Sequence, residues 1–266
     1  MSNPTPTPTE PENRFARQLD QLTKTERAIA DGALRAAEAT FAEFADAEGS
    51  HYYEAPGLDP RETWRAVTVE VARVTGIAAV EAVEGGVLST ADLHLIHAAI
   101  FRPVFGDRTL GIRRHQEDVT YGIVLGSYPD ELLFRRQRGV RAGSLPRRLR
   151  EISAGLRKAF EESDAADERG EGHRLLDAVL PATRAYAKFL RVHPYWDGNG
   201  RTAFPILNFA LIRLGLLAVA VPESEEFHWC LGKAMLPTKA DYMPLAGHLE
   251  KIIRASRLVG PDGRIP

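Results

Sequence analysis

His193-Pro194-Tyr195-Trp196-Asp197-Gly198-Asn199-Gly200-Arg201, continued by Thr202-Ala203-Phe204, brings together an imidazole, a carboxylate, a Gly-Asn-Gly turn and an arginine. Two apolar stretches flank it. Residues 173–191 set Leu175, Leu176, Val179, Leu180, Thr183, Tyr186, Ala187 and Leu190 on one helical stripe. Residues 204–217 are apolar nearly all round, which predicts a helix at the centre of the domain. The stretch therefore reads as a helix–loop–helix whose second helix opens just after the glycines.

That placement has chemical meaning. Successive backbone N–H groups in Gly198-Asn199-Gly200, running into a helix N-terminus, form a concave anion site. Glycines permit positive φ and let phosphate oxygens come close to the backbone. Arg201 adds a planar, charged fork that matches phosphate. Asp197 is a hard oxygen ligand beside the anion site, the usual way Mg²⁺ is held between one carboxylate and substrate phosphates. His193 is suited to act as a general base near neutral pH. These parts suggest a phosphate ester held with Mg²⁺ while an incoming hydroxyl loses its proton.

The run His193-Pro194-Tyr195-x-Asp197-Gly198-Asn199-Gly200-Arg201 resembles the signature of Fic-domain proteins, His-x-Phe-x-(Asp/Glu)-Gly-Asn-Gly-Arg-x-x-Arg. Leu93–Phe101 resembles the first core helix of that family, and Asp241-Tyr242-Met243-Pro244-Leu245 a segment near its end. Two positions depart from the pattern. Tyr195 replaces a phenylalanine, and Phe204 stands where the second arginine belongs, the residue that in typical members anchors the outer phosphates of ATP. Pro205 lacks an N–H, so the second helix either starts later or is kinked there.

The resemblance implies an all-α fold, a helical bundle around a central buried helix with one small β-hairpin flap. It also implies transfer of AMP from Mg-ATP to a Ser, Thr or Tyr hydroxyl of a target protein. His193 would be the base, Asp197 the Mg²⁺ ligand, and Gly198, Asn199, Gly200 and Arg201 the phosphate cradle. The flap, expected within residues 106–128 with alternation from Val119 through Tyr121 to Ile123, would pair with the target's backbone. Glu84-Gly85 is similar to the end of the family's inhibitory pattern (Ser/Thr)-x-x-x-Glu-(Gly/Asn), with Val80 at the hydroxyl position. Glu84 is thus a candidate regulatory residue, and a helix C-terminus capped by Gly85 is the plainer reading. Without the second arginine, another nucleotide or a diphosphate-linked donor stays open, as does a weakly catalytic module that binds partners. The implied partners are a nucleotide, a target protein, and an antitoxin-like inhibitor or a second copy of the chain.

The remaining sequence sets the frame. With 266 residues and a net charge of −2, the chain has room for one large domain plus an appendage and no global attraction to nucleic acid or membrane. Cys230 is the only cysteine, which suits a reducing cytosol. No run spans a bilayer and no signal peptide opens the chain, so the expected location is cytoplasmic, with export as an effector still open. Residues 1–13 read as a disordered Pro/Thr-rich tail, 14–88 as a helical N-terminal extension, 89–258 as the catalytic domain and 259–266 as a tail. Within the extension Gly32 is a candidate break, and 61–74 a short helix. Ser89 or Thr90 is expected to cap a helix running to about Arg102. His94 and His97 on it are expected to pack or to face the surface, since no acidic or cysteine partner stands at ligand spacing. The basic run Arg135–Arg141 with Arg147, Arg148 and Arg150 reads as a solvated helical face; without interleaved aromatics it is no base-stacking platform.

Overall fold

A computed structural model of the chain describes residues 13–41, 59–105, 120–124, 134–138, 140–170, 175–195, 198–221, 224–236 and 238–258. The expected tails, apart from Asn13, lie outside the described residues. The fold is all-α with one small hairpin. In chain order it comprises α1 (Lys24–Phe41), α2 (Pro60–Val83), α3 (Thr90–Phe105), β1 (Thr120–Val124), β2 (Phe134–Arg138), α4 (Leu145–Glu168), α5 (Leu175–Val192), α6 (Asn199–Arg213), α7 (Glu225–Ala234) and α8 (Met243–Leu258).

Local chemistry starts the helices where polar caps stand. Thr23 and Glu26 form a reciprocal box before α1, the Glu26 carboxylate accepting from Thr23 N–H at 2.7 Å and Thr23 Oγ1 from Glu26 N–H at 3.3 Å. Ser89 and Asp92 do the same before α3, at 2.7 and 3.2 Å. Ser224 caps α7 by accepting from Phe227 N–H. At its far end α2 stops at Gly85, which takes φ +81°, while Gly86 N–H reaches back to the Glu81 carbonyl at 2.8 Å.

Several expected boundaries move. α1 runs through Gly32 without a break, and the short helix expected at 61–74 is the first half of the longer α2. Burial explains the latter, because residues 71–80 are buried throughout and α2 packs on both α1 and α6. The basic run begins as strand, not helix: Phe134–Arg138 pairs antiparallel with β1, Thr120 facing Arg138 and Val124 facing Phe134. β1 lies beside α7.

Helix α6 is the centre. Residues 202–211 are all buried, and α6 packs against α2, α5 and α3. It runs without interruption through Pro205, so the expected later start does not occur. Proline removes only the helical bond to the Arg201 carbonyl, a small loss beside the apolar surface this helix buries. At its C-terminal end Arg213 grips Asp164 of α4 bidentately, at 2.8 and 2.6 Å. That pairing holds the Asp164 carboxyl below its usual range and the Arg213 guanidinium above its own.

The N-terminal residues join the same core. Phe15 is fully buried in a cluster that also contains Val71, Leu93, Phe204 and Phe209. Arg14 bridges Glu81 and Asp92, and Arg73 donates to the Phe15 and Arg17 carbonyls. No described helix is long and apolar enough to cross a membrane.

Candidate functional site

The motif loop is held from three sides. Asn199 accepts from Tyr195 N–H at 3.0 Å and donates to the Tyr195 carbonyl at 2.9 Å. The Tyr195 hydroxyl donates to the Leu93 carbonyl at 2.9 Å and lies 2.7 Å from His94 Nδ1. A hydroxyl has one proton, so His94 Nδ1–H is the donor in that second bond. The Tyr195 ring stacks on His97 at 3.7 Å, and His97 on Phe101 at 4.6 Å. The expected packing role of His94 and His97 is therefore specific: they seat the motif. Replacing a phenylalanine by Tyr195 added a hydroxyl, and this fold supplies it with partners.

Gly198 takes φ +75° as it leads into α6. A Cβ there would stand 2.0 Å from the Phe101 ring, so both backbone and space require glycine. Gly200 differs: a Cβ on it would meet nothing within 4 Å. The first N–H groups of a helix have no partner within it, and here they belong to the cavity-lining residues Asn199, Gly200 and Arg201. Asn199 was expected in the phosphate cradle. Its side chain is committed to Tyr195, which leaves its backbone N–H as the group for an anion.

His193 ends α5. Its N–H bonds the Phe189 carbonyl at 3.0 Å, and its φ is +50°, uncommon for a residue other than glycine. His193 Nδ1 lies 3.3 Å from the Leu190 carbonyl. A carbonyl only accepts, so Nδ1 carries the proton and Nε2 the lone pair. Arg201 lies with its guanidinium carbon 3.6 Å from the centre of the Trp64 ring. Burial alone pushes its pKa down to about 9, so it stays charged at neutral pH.

These groups share one cavity of about 280 Å³. His193 and the α6 N-terminus supply its polar lining. Phe41, Trp64, Tyr186, Phe204 and Phe227 supply aromatic walls. Phe204, only 2 % exposed, meets Phe41 edge to face at 5.3 Å. Sequence reading missed Phe41, Trp64, Tyr186 and Phe227 as cavity residues; all four occupy ordinary core positions of amphipathic helices, and nothing in the local pattern marks them.

Of the other expected site residues, Glu84 lies away from the cavity. Glu84 is exposed in the turn after α2, and it comes 20 residues after the cavity residue Trp64, about 30 Å along the helix at 1.5 Å per residue. Asp197 and Val119 lie outside the described residues, and Tyr121 and Ile123 occupy β1 opposite Gln137 and Arg135. Among the described residues no three acidic, His or Cys side chains gather to hold a metal. A Mg²⁺ ion would depend on Asp197, the covalent neighbour of Gly198, with substrate oxygens completing its shell.

The Fic/DOC family model matches residues 87–211. A protein adenylyltransferase fic-1 from Caenorhabditis briggsae is 34% identical over 88 residues, which is 32% of this chain and 17% of that protein. A Fic-domain signalling protein from Bacteroides thetaiotaomicron has a similar fold, with a TM-score of 0.51 at 15% identity over 92% of this chain and 83% of that one. Fic-1 from C. elegans aligns with a TM-score of 0.49 at 19% identity, over 93% of this chain and 64% of that one. Residues 87–211, which carry the cavity's helix N-terminus, are thus similar to the Fic/DOC family.

Proposed function

We propose that this protein transfers AMP from Mg-ATP to a hydroxyl side chain of a target protein. The observation that carries the reading is the shared cavity of the His193 imidazole, with its lone pair on Nε2, and the α6 N-terminus with Arg201. In this reading Nε2 takes the hydroxyl proton, the hydroxyl oxygen attacks the α-phosphorus, and the bond from that phosphorus to the α,β-bridging oxygen breaks, releasing pyrophosphate. The N–H groups of Gly198 through Arg201, with the guanidinium, hold the phosphates and stabilise the charge that develops there. A Mg²⁺ ion on Asp197 would neutralise phosphate charge. The similarity to an adenylyltransferase supports the reading.

A second reading keeps the chemistry and changes the donor. Phe204, buried against Phe41, supplies no cation for an outer phosphate, which favours another nucleotide or a diphosphate-linked donor. The test is incubation with Mg²⁺ and ATP labelled separately at the α- and γ-phosphates, for the native protein and for His193→Ala. Protein-bound α-label that disappears with His193→Ala, while nucleotide binding persists, is the expected result. Label from the γ position alone, or transfer that survives the substitution, overturns it.

A further inference from the structure

The outer face of α4 carries charges in an order that is its own complement. Taken at helical spacing from Arg150, one stripe reads Arg150, Ala154, Arg157, Glu161, Asp164 and Glu168, and all six are exposed. We propose that this stripe is an interface between two copies of the chain, whose α4 helices lie antiparallel about a two-fold axis level with Ala159. The inference is independent of the chemistry at His193.

Four observations carry it. First, position 159 is the midpoint of 150 and 168, of 154 and 164, and of 157 and 161. A second α4 turned end for end therefore sets Arg150 against the partner's Glu168 and Arg157 against the partner's Glu161, each contact made twice in a two-fold interface. Second, those four charges are otherwise unused: among the described residues Arg150, Arg157, Glu161 and Glu168 take part in no ion pair. Arg157 and Glu161 do not close the bridge that i,i+4 spacing permits, whereas Lys158 and Glu162 do, at 3.6 Å. Third, the charge order opposes the helix macrodipole. The first turn holds Arg147 and Arg148 and no acid, and the last holds Asp167 and Glu168 and no base, before the Arg169 cap. An antiparallel neighbour offsets both ends, since its charges and its dipole run the other way. Fourth, the one stripe pair without opposite charges brings no clash. Ala154 is small, and Asp164, which it would face across the axis, is already held by Arg213 at 2.8 and 2.6 Å. Exposed ion pairs are individually weak and screened by salt, so the dimer should be weak and salt-sensitive.

Sedimentation equilibrium on the full chain tests it. A monomer–dimer equilibrium is expected, with a dissociation constant of about 10–100 µM at about 0.05 M salt that weakens about tenfold by about 0.5 M. Arg150→Glu with Arg157→Glu leaves only acidic charges on the stripe. Glu161→Arg with Glu168→Arg leaves it basic except for Asp164. Each double variant alone should stay monomeric. A mixture of the two should form one-to-one dimers, because every contact is then again between opposite charges. Circular dichroism checks that each variant keeps its helix content. A native chain still monomeric at about 0.5 mM, a native dimer indifferent to salt, or double variants that dimerise alone overturns the proposal. A mixture that stays monomeric overturns it too, since the antiparallel register requires the pairing. Where a double variant fails to fold, single Arg157→Ala and Glu161→Ala chains should each weaken the dimer several-fold, and unchanged association in both overturns it.

Discussion

The Asn199 side chain holds both backbone polar groups of Tyr195, at 3.0 and 2.9 Å, and is itself 3 % exposed. One amide thus closes the loop between α5 and α6. Asn199→Ala leaves a buried N–H and a buried carbonyl without their partner, and is expected to cost about 2–3 kcal/mol. Asn199→Asp keeps the acceptor and turns a carboxylate oxygen on the Tyr195 carbonyl, so it should be at least as harmful. Urea unfolding of the two variants checks the order.

The two motif glycines should behave oppositely. Gly198→Ala meets the Phe101 ring and an unfavourable φ, and is expected to cost about 3 kcal/mol. Gly200→Ala has open space and a helical backbone, so stability should stay level or rise by about 0.5 kcal/mol. Gly200 lines the cavity, and the added methyl should weaken phosphate binding roughly tenfold. Thermal unfolding beside calorimetry reads both. Gly200→Ala binding phosphate as well as the native protein would remove that residue from the cradle.

Arg201 carries a stability cost that suits a binding role. Burial disfavours its charge, so Arg201→Met is expected to stabilise the protein and to abolish anion binding. The sign of the pH effect follows. With a folded pKa near 9, well below the ordinary guanidinium range, the unfolded chain binds more protons between those limits. Stability from this group alone therefore rises as pH climbs through 9. Denaturant midpoints of native and Arg201→Met protein should converge above that pH; midpoints that stay a constant distance apart would refute the burial argument.

The segment before α1 is expected to be needed for folding. Phe15→Ala should cost about 3–5 kcal/mol, as for a large buried ring. Arg73→Leu orphans the Phe15 and Arg17 carbonyls and should loosen the same segment. Protease cutting near residue 22, faster in both variants than in native protein, is the readout. Unchanged stability in Phe15→Ala would make the segment an appendage after all.

Tyr195→Phe restores the family's usual residue but deletes a hydroxyl that bonds Leu93 and His94. A loss of about 1 kcal/mol is expected. His94→Ala should remove part of that difference, because the hydroxyl then keeps only its bond to the Leu93 carbonyl, and a double-mutant cycle measures it. Additive effects would mean the hydroxyl and His94 do not act together.

Some of this was legible along the chain. The helical stripe of 173–191, the all-apolar run after Phe204 and the Ser89 cap are properties of near neighbours, since periodicity and caps act within a turn or two. Gly198 and Arg201 were marked by their own chemistry, as a turn and a fixed charge. Other features belong to residues far apart in sequence. Phe41, Trp64 and Phe227 look like core positions, and only the packing of α1, α2 and α7 around the α6 N-terminus makes them walls of a cavity. The place of Glu84 at the far end of α2 followed from the length of a helix that burial extended. Tyr195 found its partners on α3, a hundred residues away in the chain. Sequence by itself determined which groups are present and where caps and apolar stripes stand, because those are local energies. Tertiary structure decided which of them meet, because burial and hydrogen-bond satisfaction are settled only when distant segments close on one core.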